Sequence, residues 1–279
     1  MNKLAYLSLG GGLQSSTIVE MIVEKELPLV KAAIFADTLD EPGYVYEQIK
    51  YLEKRLETVD IPLVVVNNGD IYKDTISGVK RVPSIPVFTE GDEKTGRMMR
   101  QCTYEYKIVP IEKWIRNDLL GMGLAKKNKV GSIYINRGIK IEMGIGFSLD
   151  EALRMKPNKH AWVENRWPLI DLRMSKLDCK NWLEKKGLPI PMKSSCRICP
   201  YHNDRFWRYM KDNMVEDWED VVSFDNKLRT SSSWFLDRAN KKLYLHKSCL
   251  PMDKVNLETQ QERGQLGMFD ECDEGYCFV

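Results

Sequence analysis

The chain has 279 residues, 43% of them hydrophobic, enough to bury a substantial core as one large domain or as one domain with a smaller companion. Its 42 Lys and Arg against 40 Asp and Glu leave a net charge of +2, which excludes a global field toward nucleic acid while leaving room for a local basic patch. No apolar run reaches the ~20 residues of a membrane span, and MNKLAYLSLGGG reads as a strand entering a glycine loop, so a cytoplasmic protein with no membrane partner is expected. Seven cysteines in a reducing compartment then read as metal-binding, catalytic or buried thiols and not as disulfides.

In chain order, LAYLSL (4–9) is a strand leading to a helix near 15–26, and KAAIFAD (31–37) is a second strand. Val45, Ile49, Leu52, Leu56 and Val59 recur at spacings of four and three, which makes one apolar stripe on a helix. PLVVVNN (62–68) has the continuous apolar character of a strand covered on both faces. This βαβαβ order predicts an α/β fold, a doubly wound and mostly parallel sheet. Residues 77–103, rich in Gly, Pro and charge, read as a long loop over the sheet. A helix is expected from about Pro110, and GSIYINRG and KIEMGIGF as two more strands. SLDEALRMK reads as a short helix capped by Ser148 with Glu151 at its third position, and SKLDCKNWLEKKG as one capped by Ser175 and stopped by Gly187. A soft boundary near 173 divides a nucleotide-binding domain (1–173) from a mixed or helical, cysteine-containing extension (174–279).

SLGGGLQSST (8–17), at the junction of the first strand and helix, has the composition of a phosphate cradle. It lacks the Gly-Lys of a Walker A loop. Gly10-x-Gly12-x-x-Ser15 fits a Rossmann dinucleotide loop, with Asp37 placed to bind a ribose, but leaves the hydroxyls of Ser15, Ser16 and Thr17 without a purpose. Gly11-Gly12-Leu13-Gln14-Ser15-Ser16 fits a pyrophosphatase-type loop of the form S-G-G-x-D-S, with glutamine at the aspartate position. A glycine turn holding no ligand is the remaining reading, and three consecutive glycines make it a costly one.

Further segments carry a family resemblance. Gly12-Leu13-Gln14-Ser15 is similar to the G-x-Q-S turn of phosphoadenosine phosphosulfate (PAPS) reductases, and IFADTLDEPGYVYEQIKYL to their second strand and helix, with Asp37 and Thr38 as the acid-Thr pair. RQCTYEYKIVPI (100–111) resembles their Cys-Cys segment, and the stretch from PLIDLRM to SSCRICPYH (168–202) resembles the later one ending in Cys-x-x-Cys-Pro. The matches touch most of residues 4–202 and identify the chain with the PAPS reductase-like, adenine nucleotide alpha hydrolase (PP-loop ATP pyrophosphatase) superfamily. Two departures weaken a true sulfonucleotide reductase: Thr103 stands for the second cysteine, and Phe147 and Ser148 for two adjacent arginines, leaving only Arg154.

The resemblance implies ATP with magnesium as the ligand, cleavage between the α and β phosphates, and adenylation of an acceptor in sulfur transfer or nucleic-acid modification. Ser8, Gly10, Gly11, Gly12, Gln14, Ser15, Ser16, Thr17, Asp37, Thr38 and Arg154 would then bind the nucleotide. Ser15, Arg100 and Lys107 are the candidate catalytic groups, with Arg97 nearby, and Cys272 in the tail ECDEGYC is the nucleophile of the reductase alternative. Cys196 and Cys199 form a Cys-x-x-Cys; with Cys102, implied by the resemblance, they suit a [4Fe–4S] cluster, with Cys179, Cys272 or Cys277 as a fourth ligand. Zinc with His202 is the alternative, and plain reduced thiols a third. Cys179 reads equally as core packing, and Cys249 as core. Asp150 and Glu151 suit either magnesium or the first turn of a helix. AKKNK, WRYMK and RTSSSWF mix basic residues and aromatics as nucleic-acid clamps do, although such mixtures are also ordinary surface. A sulfur-carrier protein is the other possible partner, and a nucleotide sensor without turnover the other class of function.

Overall fold

A computed structural model of the protein describes residues 4–77, 83–90, 95–230 and 241–258. The sequence opens with β1 (Leu4–Leu9), α1 (Leu13–Val23), β2 (Ala32–Asp37), α2 (Gly43–Glu57), β3 (Leu63–Asn67) and α3 (Ile71–Ser77). β4 (Phe88–Thr89) and β5 (Gly96–Arg97) precede a π-helical turn, Thr103–Ile108, that runs into α4 (Val109–Gly121). Next come β6 (Ala125–Lys127), β7 (Ile133–Ile135), β8 (Ile141–Ile145), a 3-10 turn at Leu149–Arg154, β9 (Val163–Arg166), α5 (Pro168–Asp171) and α6 (Lys176–Lys185). α7 (Asp204–Asn213), α8 (Val215–Thr230), β10 (Leu243–Tyr244) and a 3-10 turn at Met252–Lys254 complete the described elements.

The main sheet has the order β3-β2-β1-β8-β9, and every neighbouring pair is parallel. Alternation along β1 and β2 divides the apolar side chains between two layers. Leu7, Leu9, Ala33 and Phe35 face α1, α2 and α6, with Val45, Ile49, Leu52 and Leu56 supplying the α2 stripe. Tyr6, Ala32, Ile34 and Ala36 face Ile111, Ile115 and Leu119 of α4. β2 is buried at every residue, as a central strand covered by helices on both faces must be. A third core gathers Ile71, Ile85 and Tyr106 with Trp207, Phe224 and Leu245, so residues on either side of 173 share it.

Several expectations are corrected. β3 is an edge strand with Val65 56% exposed, because helices cover the rim of the sheet incompletely. The long loop carries β4 and β5, which join β10 in a small antiparallel sheet. GSIYINRG supplies β7, but it pairs with β6 as a hairpin and stays out of the main sheet. The helix expected from about Pro110 is α4, with the proline in its first turn, and the π-helical turn leads into it. Ser148 makes no capping bond; its Oγ donates instead to Asp150 Oδ2 at 3.1 Å. Ser175 does cap α6, in a capping box with Asp178, and Gly187 follows with φ of +66°.

Candidate functional site

In a sheet of this order the connections leave β1 and β8 in opposite directions, which opens a crevice beyond their carboxyl ends. The glycine loop fills that crevice. Gly11 adopts φ of +73°, and a Cβ there would meet Ile49 at 3.2 Å and Val45 at 3.4 Å, so both backbone and space require glycine. Gly12 begins α1 without a capping side chain, and the amides of a first helical turn are anion-binding groups. Ser15 Oγ accepts from the Gly10 amide at 3.3 Å and donates to the Gly12 carbonyl at 3.2 Å, which ties the loop to the helix it starts.

A pocket at this place is lined from the loop by Ser8, Gly10, Gly12, Gln14 and Ser15, and from other elements by Phe35, Lys107, Gly146 and Ser194. Ser194 Oγ donates to the Gly10 carbonyl, so the segment before the Cys-x-x-Cys is fastened to the loop. Gln14 turns its Nε2 to Glu151 Oε2 at 2.9 Å and to Ser148 Oγ at 3.5 Å. Gln14 and Glu151 are both buried.

A second pocket lies beside the first and holds the cysteines. Cys102, Cys196 and Cys199 line it together with Thr38, Thr103, Arg100 and Tyr201, and Lys107 lines both pockets. Cys196 Sγ lies 3.2 Å from Thr38 Oγ1 and 3.6 Å from Glu41 Oε1. Lys107 Nζ stands 3.6 Å from the same Glu41 oxygen, while the other, Glu41 Oε2, is buried without a hydrogen-bond partner. Ser195 Oγ and Thr103 Oγ1 are also buried and unpartnered. Burial, and then the Glu41 carboxylate, push the Cys196 thiol well above its usual range, with Lys107 pulling the other way. Arg97 and Arg100 lie over the Tyr201 ring at 5.3 and 5.7 Å.

Other expected residues take different places. Ser16 accepts from Gln48 Nε2 at 3.2 Å and Thr17 donates to the Leu13 carbonyl at 2.9 Å; neither is among the described residues lining the first pocket. Asp37 accepts from the Leu39 amide and the Tyr46 hydroxyl, closing the turn after β2, and Thr38 faces the cysteines. Arg154 pairs with Glu151 at 2.6 Å and lies over Phe147 at 4.7 Å. Asp150 accepts from the Lys176 amide and Glu151 holds Gln14, Arg154 and Lys176, so both are occupied in joining the turn after β8 to α1 and α6, not set out as magnesium ligands.

Cys179 is fully buried in the core between α1 and α6, where burial pushes its thiol up to about 11. That seat is the core-packing one of the two readings the sequence left open for it. Cys249 is half-buried beside β10, and Cys272 and Cys277 lie outside the described residues. His202 is buried with its Nε2 2.9 Å from the Cys196 carbonyl and its ring stacked on Phe206. The three thiols that line this pocket suit an iron–sulfur cluster in kind and number. Among the described residues, however, no three His, Cys, Asp or Glu side chains stand ready around one metal ion.

Sequence reasoning missed three contributors. Glu41 and Ser194 carry no motif of their own. Gly146 is legible only as a glycine after a strand, and its role depends on what the fold brings against it.

The chain matches no family model and no curated protein. None of the described helices is long and apolar enough to cross a membrane. Among solved structures the chain is similar to the U34-tRNA thiolase NcsA from Methanococcus maripaludis with its [4Fe-4S] cluster, at 18% identity and a TM-score of 0.41, over 81% of this chain and 71% of that one.

Proposed function

We propose that the chain is an ATP-using enzyme of the PAPS reductase-like kind, which activates an acceptor by adenylation beside a thiol pocket. The observation that carries this reading is the sharing of Lys107 between the glycine-loop pocket and the three-cysteine pocket. A nucleotide in the first pocket has its phosphates against the Gly10–Ser15 loop and its reacting end toward the second. An acceptor oxygen attacks the α-phosphorus, the bond from that phosphorus to the bridging oxygen breaks, and pyrophosphate leaves. Lys107 neutralises the charge that builds on the phosphates, and the loop amides hold them in line for attack. Arg100, at the cysteine side, faces the acceptor.

Cys102, Cys196 and Cys199 would hold a [4Fe–4S] cluster, which when bound supplies an iron with an open position for sulfur. Zinc on the same thiols would serve as a staple. Thr38 and Glu41 orient Cys196 in either case.

The test, on protein purified without oxygen and with candidate acceptors present, is exchange of labelled pyrophosphate into ATP together with release of AMP. Exchange that disappears in Lys107→Ala supports the reading. ATP binding with neither exchange nor AMP for any acceptor points to a nucleotide sensor, and sulfite released from a sulfonucleotide points to a reductase; either overturns it.

A further inference from the structure

Residues 119–141 contain no acidic residue but carry Lys126, Lys127, Lys129, Arg137 and Lys140, all exposed. None of these five forms an ion pair among the described residues. Three of them sit on the β6–β7 hairpin and its turn, where Lys126 pairs across the strands with Tyr134, itself 59% exposed. The hairpin is held firmly: Asn128 Oδ1 accepts from the Ser132 amide at 2.8 Å and the Val130 amide at 3.2 Å. Lysines on a small sheet also guard against edge-to-edge aggregation. That role asks for nothing beyond the hairpin, and here the pattern continues.

Arg116 of α4 donates to the Ile133 carbonyl of β7 at 3.3 Å, and its guanidinium lies 4.8 Å from the Trp162 ring centre. His160 stacks on the same ring. Lys159, next along, stands 3.9 Å over the Tyr104 ring and donates to its hydroxyl. Tyr104 is 48% exposed, and Cys102 lies two residues before it at the cysteine pocket. Cations and aromatic rings therefore alternate along α4 from the hairpin to the pocket. Glu112 lies on this path, held by His160 and Lys159. A 13-residue helix is about 20 Å long, room for several nucleotides of a single strand.

We propose that this face is a docking track for a single-stranded segment of nucleic acid, running from the β6–β7 hairpin past Arg116–Trp162 to Tyr104. The unpaired cations of residues 126–140 match a phosphate backbone, and the exposed rings of Tyr134 and Tyr104 at the two ends match bases, which stack on any aromatic face. An acidic protein would need only the cations. The proposal deepens the reading above by naming the acceptor's class, and it is tested without ATP, so failure of one is distinguishable from failure of the other.

The experiment is fluorescence anisotropy with labelled 20-nucleotide single strands of RNA and of DNA, and the matching duplexes, over a salt series. Single strands are expected to bind more tightly than duplexes, with affinity falling linearly in log salt. Lys126→Glu with Lys127→Glu and Lys129→Glu is expected to weaken binding at least tenfold and to flatten the log–log slope by about two, at ~0.7 for each phosphate no longer neutralised. Tyr134→Ala should weaken binding at unchanged slope. Lys129→Glu alone, in the turn, keeps the test valid if the triple variant misfolds, and thermal melting monitors this. Lys180→Glu with Lys185→Glu on α6, set against Lys126→Glu with Lys127→Glu on the hairpin, is the charge-matched control. Absence of binding at 50 mM salt (about the low end of the usual range), equal losses from the α6 control, or hairpin variants that bind as the parent does would each overturn the proposal.

Discussion

Gly146 approaches Ser15 so closely that a Cβ on Gly146 would stand 3.0 Å from the Ser15 amide nitrogen and 3.2 Å from its Cα. The residue after β8 thus abuts the first turn of α1, with no room for a methyl group between them. The relief has to come from backbone, because the nearest atoms belong to a helix start and not to a flexible side chain. Gly146→Ala is therefore expected to push the phosphate loop off its position, costing about 1–3 kcal/mol as overpacking does. ATP affinity should drop at least tenfold in calorimetry. A variant that melts and binds as the parent does would show that the loop is not held from this side.

Lys107 faces two pockets with one ammonium, and the Glu41 carboxylate fixes it between them. Lys107→Ala is expected to lower kcat for adenylation by about a hundredfold or more, the size of losing one charge donor at a reacting centre. Lys107→Arg should restore part of it. Glu41→Gln keeps the shape but frees the ammonium, so its effect should fall on kcat more than on ATP binding. Measured kcat and KM for the three variants check this.

The three pocket thiols and the buried one should separate cleanly. Cys102→Ala, Cys196→Ala and Cys199→Ala are each expected to abolish iron and sulfide, or zinc, in anaerobically purified protein. Cys179→Ala should retain the full metal content and cost about 1 kcal/mol, one methylene-sized group of packing. Metal analysis beside the visible spectrum decides it.

Cys179 should also be chemically silent. Burial holds its thiol near 11, and only the thiolate reacts, so at pH 8 about one molecule in a thousand is reactive even before access is considered. Thiol titration of the native protein should leave Cys179 unmodified, identified by mass spectrometry, and unfolding should expose it. Rapid native labelling at this position would contradict the packing described.

The buried carboxylate of Glu20 in α1 is held by Arg55 Nε at 2.8 Å and by the Tyr51 hydroxyl at 2.8 Å. Arg55→Ala leaves that carboxylate with a single donor in the core and is expected to destabilise by about 3 kcal/mol. Adding Glu20→Gln should recover part of the loss, since the uncompensated charge is then gone. Urea denaturation of the two variants tests this.

The sequence by itself determined the local chemistry. The spacing of Val45, Ile49, Leu52 and Leu56 dictates a one-faced helix, and the buried run AAIFAD a central strand. Ser175 and Asp178 cap α6 because a hydroxyl three residues before a carboxylate satisfies two helix-end amides. Three glycines between strand and helix could be read as a phosphate loop because only that residue type allows such backbone approach. What lay beyond the sequence is every relation between distant segments. The edge position of β3, the hairpin that leaves the main sheet, and the small sheet inside the long loop depend on pairing partners far along the chain. Thr38 and Glu41 meet Cys196 across 158 and 155 positions, and Gln14 meets Glu151 across 137. Such contacts leave no local pattern, because burial and hydrogen-bond satisfaction act on residues that only the packed fold makes neighbours. Cys179 shows the same division: its type permits a ligand or a core residue, and its seat between α1 and α6 makes it core.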